Sequence, residues 1–364
     1  MKTSKKIFIS AVVIAIVATL VINLLSNSKA DEEVVKVGVI APITNLVVGG
    51  NNLGEGFVNG VTLAMEEYAQ KNPDSNKIKL VVEDDGYDAK KGVSAFEKLS
   101  TINDIDFLIN LSSPTIDSIR EKVRSEGVPV LQIGAESEPL KDSIFNIYPD
   151  QTSISDVAIE ANKDGVNKIT AVIEQLDVYE KFVSDFEKNF KGEVNIVRLP
   201  ASASDYRTQI TKLKETGAEN VIILMSSKSG AQLIKQMRDL KLKPINIYFD
   251  VSLQLGLSDF EKVLGDLSYL NGAKSLYSVS DVDASFVERY KTRFSVEPGP
   301  LSGYGYDSFV AMINTKEVSS DKWIKNIQAY KAKGVTGEIS FNSIGVRPPG
   351  FKIGVIEEGK LLVK

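Results

Sequence analysis

Apolar runs of strand length alternate along the chain with amphipathic stretches of helical length. The run "VVKVGVI" begins at Val34 and precedes a helical pattern over Phe57–Tyr68; "KIKLVVE" and "FLINL" then flank another over Ala89–Leu99. Apolar positions in the helical stretches recur at three- and four-residue intervals, which places one face of each helix against a core. The alternation predicts βαβ units built on a parallel sheet.

The same alternation restarts in the second half of the chain. The runs "KITAVIE", "EVNIVRL", "NVIILM" and "INIYFD" are almost unbroken apolar strands, as expected where helices cover both faces of a parallel sheet. We therefore predict two successive open α/β units, followed by a tail of short strands and turns. Further helices are predicted at Tyr179–Phe190, Tyr206–Thr216, Ala231–Leu240, Ala284–Phe294, Tyr304–Asn314 and Asp321–Tyr330.

The first thirty residues have the pattern of an export signal. Lys2, Lys5 and Lys6 precede an uncharged run over Ile7–Leu25, and small residues follow as far as Ala30. The run is 19 residues long, close to the roughly 20 that span a bilayer as a helix. Two outcomes stay open: cleavage after Ala30, or a membrane anchor that holds the same domain outside the membrane. Both predict an extracytoplasmic protein.

Composition excludes several classes of function. The 364 residues include no cysteine and no histidine, which removes thiol nucleophiles, imidazole bases and the usual zinc, copper and haem ligands. Without residues 1–30, 39 basic and 48 acidic side chains leave a net charge of −9. A chain of this charge, with no basic run, is not expected to bind nucleic acid. We predict no metal or cofactor.

Two adjacent serines follow the apolar run "FLINL". Ser112 and Ser113 precede Pro114, which suits the first turn of a helix because its missing N–H is not needed there. We expect Ser113 to cap this helix, which leaves the Ser112 hydroxyl and the free backbone donors for an anionic group. The alternative, that both serines only cap a turn, stays open.

The second unit offers two candidates at the corresponding edge of its sheet. Asp250 ends the strand "INIYFD", where its carboxylate is suited to an ammonium group or, alternatively, to helix capping or a surface loop. Tyr179 begins a predicted helix, and its ring lies either in a cleft between the units or half-buried in the core.

The segment "GEGFVNG" over Gly54–Gly60 matches a dinucleotide-binding loop only weakly. Its glycines lie well beyond the first strand, and the chain has no GxxxxGK[ST] phosphate loop. We expect these glycines to provide turn flexibility and close helix packing. The acidic run Glu83–Asp85 ends a strand and is expected to be a solvated loop rather than a metal site.

In their order and spacing, these segments resemble the type I periplasmic binding proteins, especially the leucine/isoleucine/valine-binding branch that serves ABC importers. The resemblance runs from about Val37 to the end and rests on "VGVIAPIT", "LGEGFVNGVTLAMEEY", "LVVEDDGYDAKKGV", "SSPT", "EGVPVLQIGAESEPL", "SDYRTQITKLKETGAENVIIL", "YGYDSF" and "GEISFNSIG". It implies two doubly wound parallel-sheet α/β lobes joined by three crossovers, preceded here by the N-terminal hydrophobic helix.

The resemblance also implies how the chain is divided between the lobes. Each lobe of the family is discontinuous, because the chain crosses between them three times. The crossings would fall near Tyr148–Thr152, Tyr277–Val282 and Gly334–Gly337, which assigns residues 34–150 and 281–334 to lobe 1, and 151–280 and 335–364 to lobe 2.

The family's ligand contacts can be carried over residue by residue. A serine after the third strand binds the ligand carboxylate, and Ser112 matches it. In the second lobe a tyrosine matches Tyr179, the contact after "NVIILM" falls on Ser226 or Ser227, and the ammonium-binding acid matches Asp250. The implied ligand-binding residues are Ser112, Ser113, Gly134, Ala135, Glu136, Tyr179, Ser226, Ser227 and Asp250.

Glu136 departs from the family pattern, which usually has a threonine or serine beside the charged head of the ligand. At a separation of about 4 Å and an effective dielectric constant near 20, its carboxylate would repel a bound carboxylate by about 4 kcal/mol. Either the ligand carries a positive group instead, or Glu136 turns to solvent while its amide donates, or the site has lost affinity. We expect a polar ligand with an amine.

The resemblance implies a solute receptor that is not an enzyme. Its two lobes would close on an amino acid or related amine-bearing solute and present it to an ABC-type permease. The alternative is a membrane-tethered sensing domain of the same fold, which the length of Ile7–Leu25 keeps open. An exported enzyme is disfavoured, because the chain has no nucleophile elbow, no complete SxxK motif set and no paired carboxylates at a defined spacing.

Overall fold

Two α/β units account for the described part of the chain. The structure is a computed structural model that describes residues 34–44, 53–73, 77–134, 143–149, 154–200, 203–278, 283–317, 319–348 and 350–363. Helices and strands alternate in the first unit, here the first lobe. Its elements are β1 (Val35–Ala41), α1 (Leu53–Lys71), β2 (Ile78–Asp84), α2 (Ala89–Glu97) with a π-helical extension (Lys98–Asn103), β3 (Phe107–Asn110), α3 (Ser113–Glu126), β4 (Val130–Gln132) and β5 (Ile144–Pro149).

The second lobe repeats this alternation. It begins with a helix and ends with the last strand before the chain returns to the first lobe. Its elements are α4 (Ile154–Lys163), β6 (Lys168–Glu174), α5 (Asp177–Glu187), β7 (Glu193–Leu199), α6 (Arg207–Glu215), β8 (Asn220–Leu224), α7 (Ser227–Asp239), β9 (Asn246–Phe249), α8 (Ser252–Leu255), α9 (Leu257–Leu264), a 3-10 turn (Ser268–Leu270) and β10 (Lys274–Ser278).

The C-terminal part of the chain contributes to both lobes. Three helices pack on the first lobe, and the closing strands complete the two sheets. The elements are α10 (Ala284–Phe294), α11 (Ser302–Thr315), α12 (Ser320–Ala329), β11 (Ala332–Gly334), β12 (Gly337–Ile339), β13 (Val346–Arg347), β14 (Phe351–Glu357) and β15 (Lys360–Val363).

Each lobe is built on one mainly parallel sheet. The first sheet has the strand order β13-β5-β4-β3-β1-β2, and the second has the order β15-β14-β10-β9-β8-β6-β7. All pairs are parallel except at the β10–β14–β15 edge, which is antiparallel. The predicted α/β class with two parallel-sheet lobes is confirmed. The predicted hydrophobic helix lies in residues 1–30, outside the described residues, and none of the described helices is long and apolar enough to cross a bilayer.

Apolar clusters on both faces of each sheet hold the strands in place. In the first lobe, Phe107 of β3 packs edge-to-face on Trp323 of α12 with ring centroids 4.9 Å apart. In the second, Phe249 of β9 packs in the same way on Phe260 of α9 at 5.6 Å. Because helices bury both faces, the central strands are largely apolar. The packed cores therefore fix the position of the strand carboxyl ends in each lobe.

The third crossover differs from the prediction. Val346 and Arg347 form β13, which pairs with β5 in the first sheet, although the resemblance assigned residues 335–364 to the second lobe. The turn Gly334–Gly337 instead closes the hairpin β11–β12, so the chain crosses after Arg347. The other two crossings stay predictions, because residues 150–153 and 279–282 lie outside the described residues.

The glycines of "GEGFVNG" lie in helix α1 and allow it to pack closely on α11. A Cβ atom on Gly60 would lie 1.9 Å from the Ser302 carbonyl oxygen, and one on Gly305 would lie 2.3 Å from that of Phe57. These contacts involve backbone atoms, which cannot swing aside. Close helix packing, and not a nucleotide loop, is therefore the role of this segment.

We expect Gly60→Ala to lower the free energy of unfolding by about 1–3 kcal/mol, because the added methyl group overpacks the α1–α11 contact. Gly56→Ala in the same helix is the matched control, since its Cβ would first meet the movable Ser302 hydroxyl at 3.1 Å. Urea denaturation followed by circular dichroism measures both variants. Equal stabilities of the two variants would contradict the packing argument.

Candidate functional site

The candidate site lies at the carboxyl ends of the parallel strands. Ser112 and Gly134 follow β3 and β4 in the first lobe, while Glu174 ends β6 and Asp250 follows β9 in the second. In open α/β sheets this edge is where ligands bind, because the loops that follow the strands converge there.

Electrostatic contributions to pKa values link the two edges. Burial raises the pKa of Tyr87 in the first lobe to about 12, and the Glu174 carboxylate of the second lobe contributes to the rise. Burial likewise raises the pKa of Tyr148, which lies in β5 near the predicted first crossover, and the Asp250 carboxylate adds to this rise. Charges act on each other in this way only at short range. We call the space between these four residues the interlobe cleft.

Ser112, rather than Ser113, is the N-cap of α3. Its backbone is extended, with φ −147° and ψ 109°, and its carbonyl accepts the Ile116 N–H at 3.0 Å. The Ser112 hydroxyl makes no capping bond and is fully buried without a hydrogen-bond partner. The prediction that Ser113 caps the helix is therefore wrong: the helix begins one residue earlier than Pro114 suggests, and the Ser113 hydroxyl hydrogen-bonds Tyr87.

A buried row of amides supports the first-lobe side of the cleft. The Asn110 side chain donates to the Ser112 carbonyl at 2.8 Å and to the Gln132 side chain. The Asn146 side chain donates to the Gly134 carbonyl at 2.7 Å, and Gly134 has a φ of +137°. These bonds fix the backbone at both predicted contact positions. Ala135 and Glu136, the neighbouring predicted contacts, lie outside the described residues.

Tyr87 is a cleft residue in the loop between β2 and α2. Its φ is +59°, a conformation in which a bulky residue is a genuine outlier. The loop is fixed by Asp85, whose carboxylate is buried and accepts the Tyr87 N–H at 3.1 Å and the Thr115 hydroxyl at 2.5 Å. The expectation that Glu83–Asp85 is a solvated loop is therefore wrong for Asp85, because this carboxylate ties the loop to α3.

Glu174 is buried at the end of β6 and pairs with the start of α7. Its Oε2 accepts the Ser226 N–H at 2.8 Å, and its Oε1 accepts the Ser226 hydroxyl at 3.3 Å. The Ser227 hydroxyl points elsewhere, because it donates to the buried Asp259 carboxylate of α9 at 2.7 Å. Of the two predicted serines, Ser226 is thus the one joined to a cleft residue.

Asp250 carries a carboxylate that is 4% exposed. Its Oδ1 accepts the Ser252 N–H at 2.9 Å, and its backbone carbonyl accepts the Ser275 hydroxyl at 2.8 Å. Burial raises the pKa of this carboxyl to about 6, and the nearby Glu174 contributes. Within the described residues, no lysine or arginine forms an ion pair with Asp250 or Glu174. The second-lobe wall of the cleft is therefore acidic and uncompensated.

Tyr179 lies where the second-lobe core meets the cleft. It is the third residue of α5, half-buried, and its ring meets Phe182 edge-to-face with centroids 6.0 Å apart. Burial raises its pKa well above the usual value, and Asp250, Glu174 and Tyr87 add to the rise. The alternative of a half-buried residue at the core agrees with this position, and contact with a ligand in the cleft stays a prediction.

The sequence interpretation missed Tyr87 and Glu174. Glu174 ends the apolar run "KITAVIE" as Asp250 ends "INIYFD", so position at a strand end was the available signal. Tyr87 gave no such signal, because only the folded loop brings its ring against Ser113 and towards the second lobe.

The sequence profile of a family described as periplasmic binding protein matches residues 34–344 of the chain. The comparison with curated protein sequences found no match. The matched region includes every described residue of the interlobe cleft.

Solved structures of similar proteins share the fold at low sequence identity. The leucine-binding protein LivK from Thermotoga maritima is 18% identical, with a TM-score of 0.77 over 91% of this chain and 97% of that one. LivJ from Streptococcus pneumoniae, in complex with isoleucine, is 16% identical, with a TM-score of 0.74 over 90% and 98%. An ABC transporter solute-binding protein from R. palustris, in complex with benzoate, is 18% identical, with a TM-score of 0.74 over 91% and 95%.

The profile match covers most of the chain, and the two-sheet architecture agrees with the fold of those structures. The chain therefore belongs to the periplasmic binding proteins, shares the fold of LivK and LivJ, and is an extracytoplasmic binding protein rather than an enzyme.

Proposed function

We propose that this protein is the solute receptor of an ABC-type importer and that it closes its two lobes on an amino acid or a related amine-bearing solute. The observation that carries the proposal is the pairing of two unlike walls in one cleft. The first lobe offers the unpartnered Ser112 hydroxyl at the N-terminus of α3. The second offers the buried, unpaired carboxylate of Asp250.

These walls match the two ends of an amino acid. A helix N-terminus with a free hydroxyl favours a negative group, because its unpaired N–H groups and the helix dipole both point outward. A desolvated carboxylate favours an ammonium group, which forms a charge-assisted hydrogen bond with it. The leucine and isoleucine of the LivK and LivJ names carry both groups, whereas the benzoate of the R. palustris complex carries only the negative one. Asp250 favours an amine for this chain.

Binding would be coupled to closure. Three crossovers are predicted to join the lobes, and a hinge motion about them would bring Ser112 and Asp250 onto one solute. A solute that contacts both lobes stabilises the closed form and shifts the population towards it.

A thermal-shift screen of amino acids, amines, amides and aromatic acids tests the proposal, because a solute that binds only the folded protein raises its melting temperature. We expect amine-bearing solutes to raise it, and solution scattering with the best of them to show a smaller radius of gyration. A rise in melting temperature with aromatic acids alone would contradict the proposal that the solute carries an amine. If no solute raises the melting temperature, or if the radius of gyration does not fall, the proposed receptor function is wrong.

Affinity for such a solute is expected to fall below pH 6. The free Asp250 carboxyl titrates at about 6, and a bound ammonium group favours the ionised form, so affinity is constant above this pH and lost as pH falls through it. Glu174, Tyr148, Tyr179 and Ser252 face the same carboxyl. We expect about tenfold weaker binding at pH 5 than at pH 8 by calorimetry. Equal affinity at the two pH values would contradict the role of Asp250.

A further inference from the structure

We infer that Asn110, Gln132 and Asn146 are positioning residues of the site, and that together they orient two backbone N–H groups for a negatively charged group of the solute. The inference rests on the proposed receptor function. The three residues are 0%, 0% and 1% exposed. Asn110 and Gln132 are register partners in β3 and β4, as are Gln132 and Asn146 in β4 and β5. Register partners point to the same face of a sheet, so the three side chains form one row, which we call the amide ladder.

Core packing alone does not account for the amide ladder. The residues that precede its members in β3, β4 and β5 are apolar and buried, so an apolar side chain would suit the same positions. A buried amide is costly unless it is hydrogen-bonded. Within the described residues, the side-chain oxygen of Asn110 is buried without a partner. The amides are therefore present at a cost that packing does not require.

The amide ladder holds three backbone carbonyls of the loops that follow β3 and β4. Each member donates from its side-chain nitrogen to one of them, and Asn110 also donates to the Gln132 side chain. The bonds to carbonyls run from Asn110 to Ser112 at 2.8 Å, from Gln132 to Ile133 at 3.1 Å and from Asn146 to Gly134 at 2.7 Å. These carbonyls therefore point into the first lobe.

The bonded carbonyls determine where the N–H groups of Ser113 and Gly134 point. In a planar trans peptide, the C=O of one residue and the N–H of the next point in opposite directions. The Ser112 carbonyl points to the ladder, so the Ser113 N–H points away from it. The same holds for the Ile133 carbonyl and the Gly134 N–H. Within the described residues, neither N–H has a hydrogen-bond partner, and both are therefore free to donate to a solute.

The two N–H groups belong to loops that lie in contact. A Cβ atom on Gly134 would lie 2.9 Å from the Ser113 hydroxyl oxygen and 3.3 Å from the Gln132 side-chain nitrogen. The Ser112 hydroxyl beside them is buried without a partner. A carboxylate has two acceptor oxygens and no donor, and its hydrogen bonds are stronger than those of a neutral amide or hydroxyl. The donors therefore favour a carboxylate, and the neutral ladder adds no charge that opposes it.

Calorimetry with three matched pairs of solutes tests the inference. L-Norleucine and pentylamine differ only in the carboxylate, as do L-lysine and cadaverine, and benzamide has a neutral amide in place of the carboxylate of benzoate. With the full chain at pH 8 we expect the carboxylate to increase affinity by about tenfold or more in at least one pair. In Gln132→Leu, which removes the donor to the Ile133 carbonyl, we expect this preference to fall to about twofold or less while the solute without a carboxylate binds as before.

Gln236→Leu is the matched control, because this amide supports the backbone of the second lobe. It donates to the Ser204 carbonyl at 2.8 Å and accepts the Tyr206 N–H at 2.7 Å. We expect this variant to keep the wild-type preference for the carboxylate even if its melting temperature falls. A ladder that only stabilised the fold would give the same result in Gln132→Leu, with a lower melting temperature and an unchanged preference.

The outcomes separate the inference from the proposed function. A wild-type protein that binds solutes without preferring the carboxylate, or a Gln132→Leu variant that retains the preference, overturns the inference alone. If Gln132→Leu does not fold, Asn146→Ala takes its place, because it removes the bond to the Gly134 carbonyl at one end of the ladder. A preference retained in that variant has the same meaning. Binding of no solute overturns the receptor function as well.

Discussion

Replacing Asp250 with asparagine is expected to weaken binding of an amine-bearing solute by about thirtyfold or more, because removal of one partner from a buried charge pair costs about 2–5 kcal/mol. The same substitution is expected to make the unliganded protein more stable at pH 8. The folded pKa, about 6, lies above the ordinary value of 3.8, so ionisation of this carboxyl opposes folding. The penalty appears above the ordinary pKa, grows through pH 6 and is constant beyond it, at about 2–3 kcal/mol.

Calorimetry and thermal unfolding of wild type and Asp250→Asn, each at pH 5 and pH 8, measure both effects. The gain in stability should be larger at pH 8 than at pH 5, because wild type carries the full penalty only when the carboxyl is ionised. Asp239→Asn is the control: Asp239 is an exposed acid of the same lobe that pairs with Lys235. An unchanged affinity in Asp250→Asn, or a loss of stability at pH 8, would contradict the assigned role.

The cleft residues share a property that sets them apart from the core. The ionised carboxylate of Asp250 is unfavourable where it is buried. The Ser112 hydroxyl is buried without a hydrogen-bond partner, and the Tyr87 backbone has a positive φ. Each lowers the stability of the empty protein, and a bound solute would offset at least the first two. Strained or unsatisfied groups that the rest of the structure tolerates are typical of binding sites.

Apolar periodicity was sufficient to predict the elements because burial decides them. The predicted helix Phe57–Tyr68 lies inside α1 (Leu53–Lys71), and "KITAVIE" is β6 residue for residue. Parallel strands covered on both faces leave little choice of side chain, so their pattern is readable without knowledge of the partners.

The exact contacts at strand ends were not readable in this way. Ser112 and Ser113 are both good cap residues, and only the folded backbone shows that the helix begins at Ser113. The third crossing was misplaced because β13 has only two residues and its pairing with β5 depends on tertiary contacts. Glu174 was overlooked because a glutamate after an apolar strand is also what a solvated end would have.

A buried carboxylate outside the cleft anchors the chain ahead of the third crossover. Asp307 of α11, in the segment "YGYDSF", is 1% exposed. Its oxygens accept the Val335 N–H at 2.8 Å, the Thr336 N–H at 2.9 Å and the Thr336 hydroxyl at 2.5 Å. Arg347 then donates to the Thr336 carbonyl at 2.8 Å and to its hydroxyl at 2.9 Å. One carboxylate thus holds the β11–β12 turn and, through it, the end of β13.

Asp307→Ala is expected to lower the free energy of unfolding by about 3–5 kcal/mol, because it leaves buried backbone donors unsatisfied and removes one of the acidic groups near Arg347. Asp307→Asn keeps one acceptor oxygen and is expected to lose less. Asp283→Ala, which removes the exposed N-cap of α10, is expected to cost only about 1 kcal/mol. Urea denaturation followed by circular dichroism compares the three variants. A loss in Asp307→Ala no larger than that in Asp283→Ala would mean that this network does not anchor the crossover.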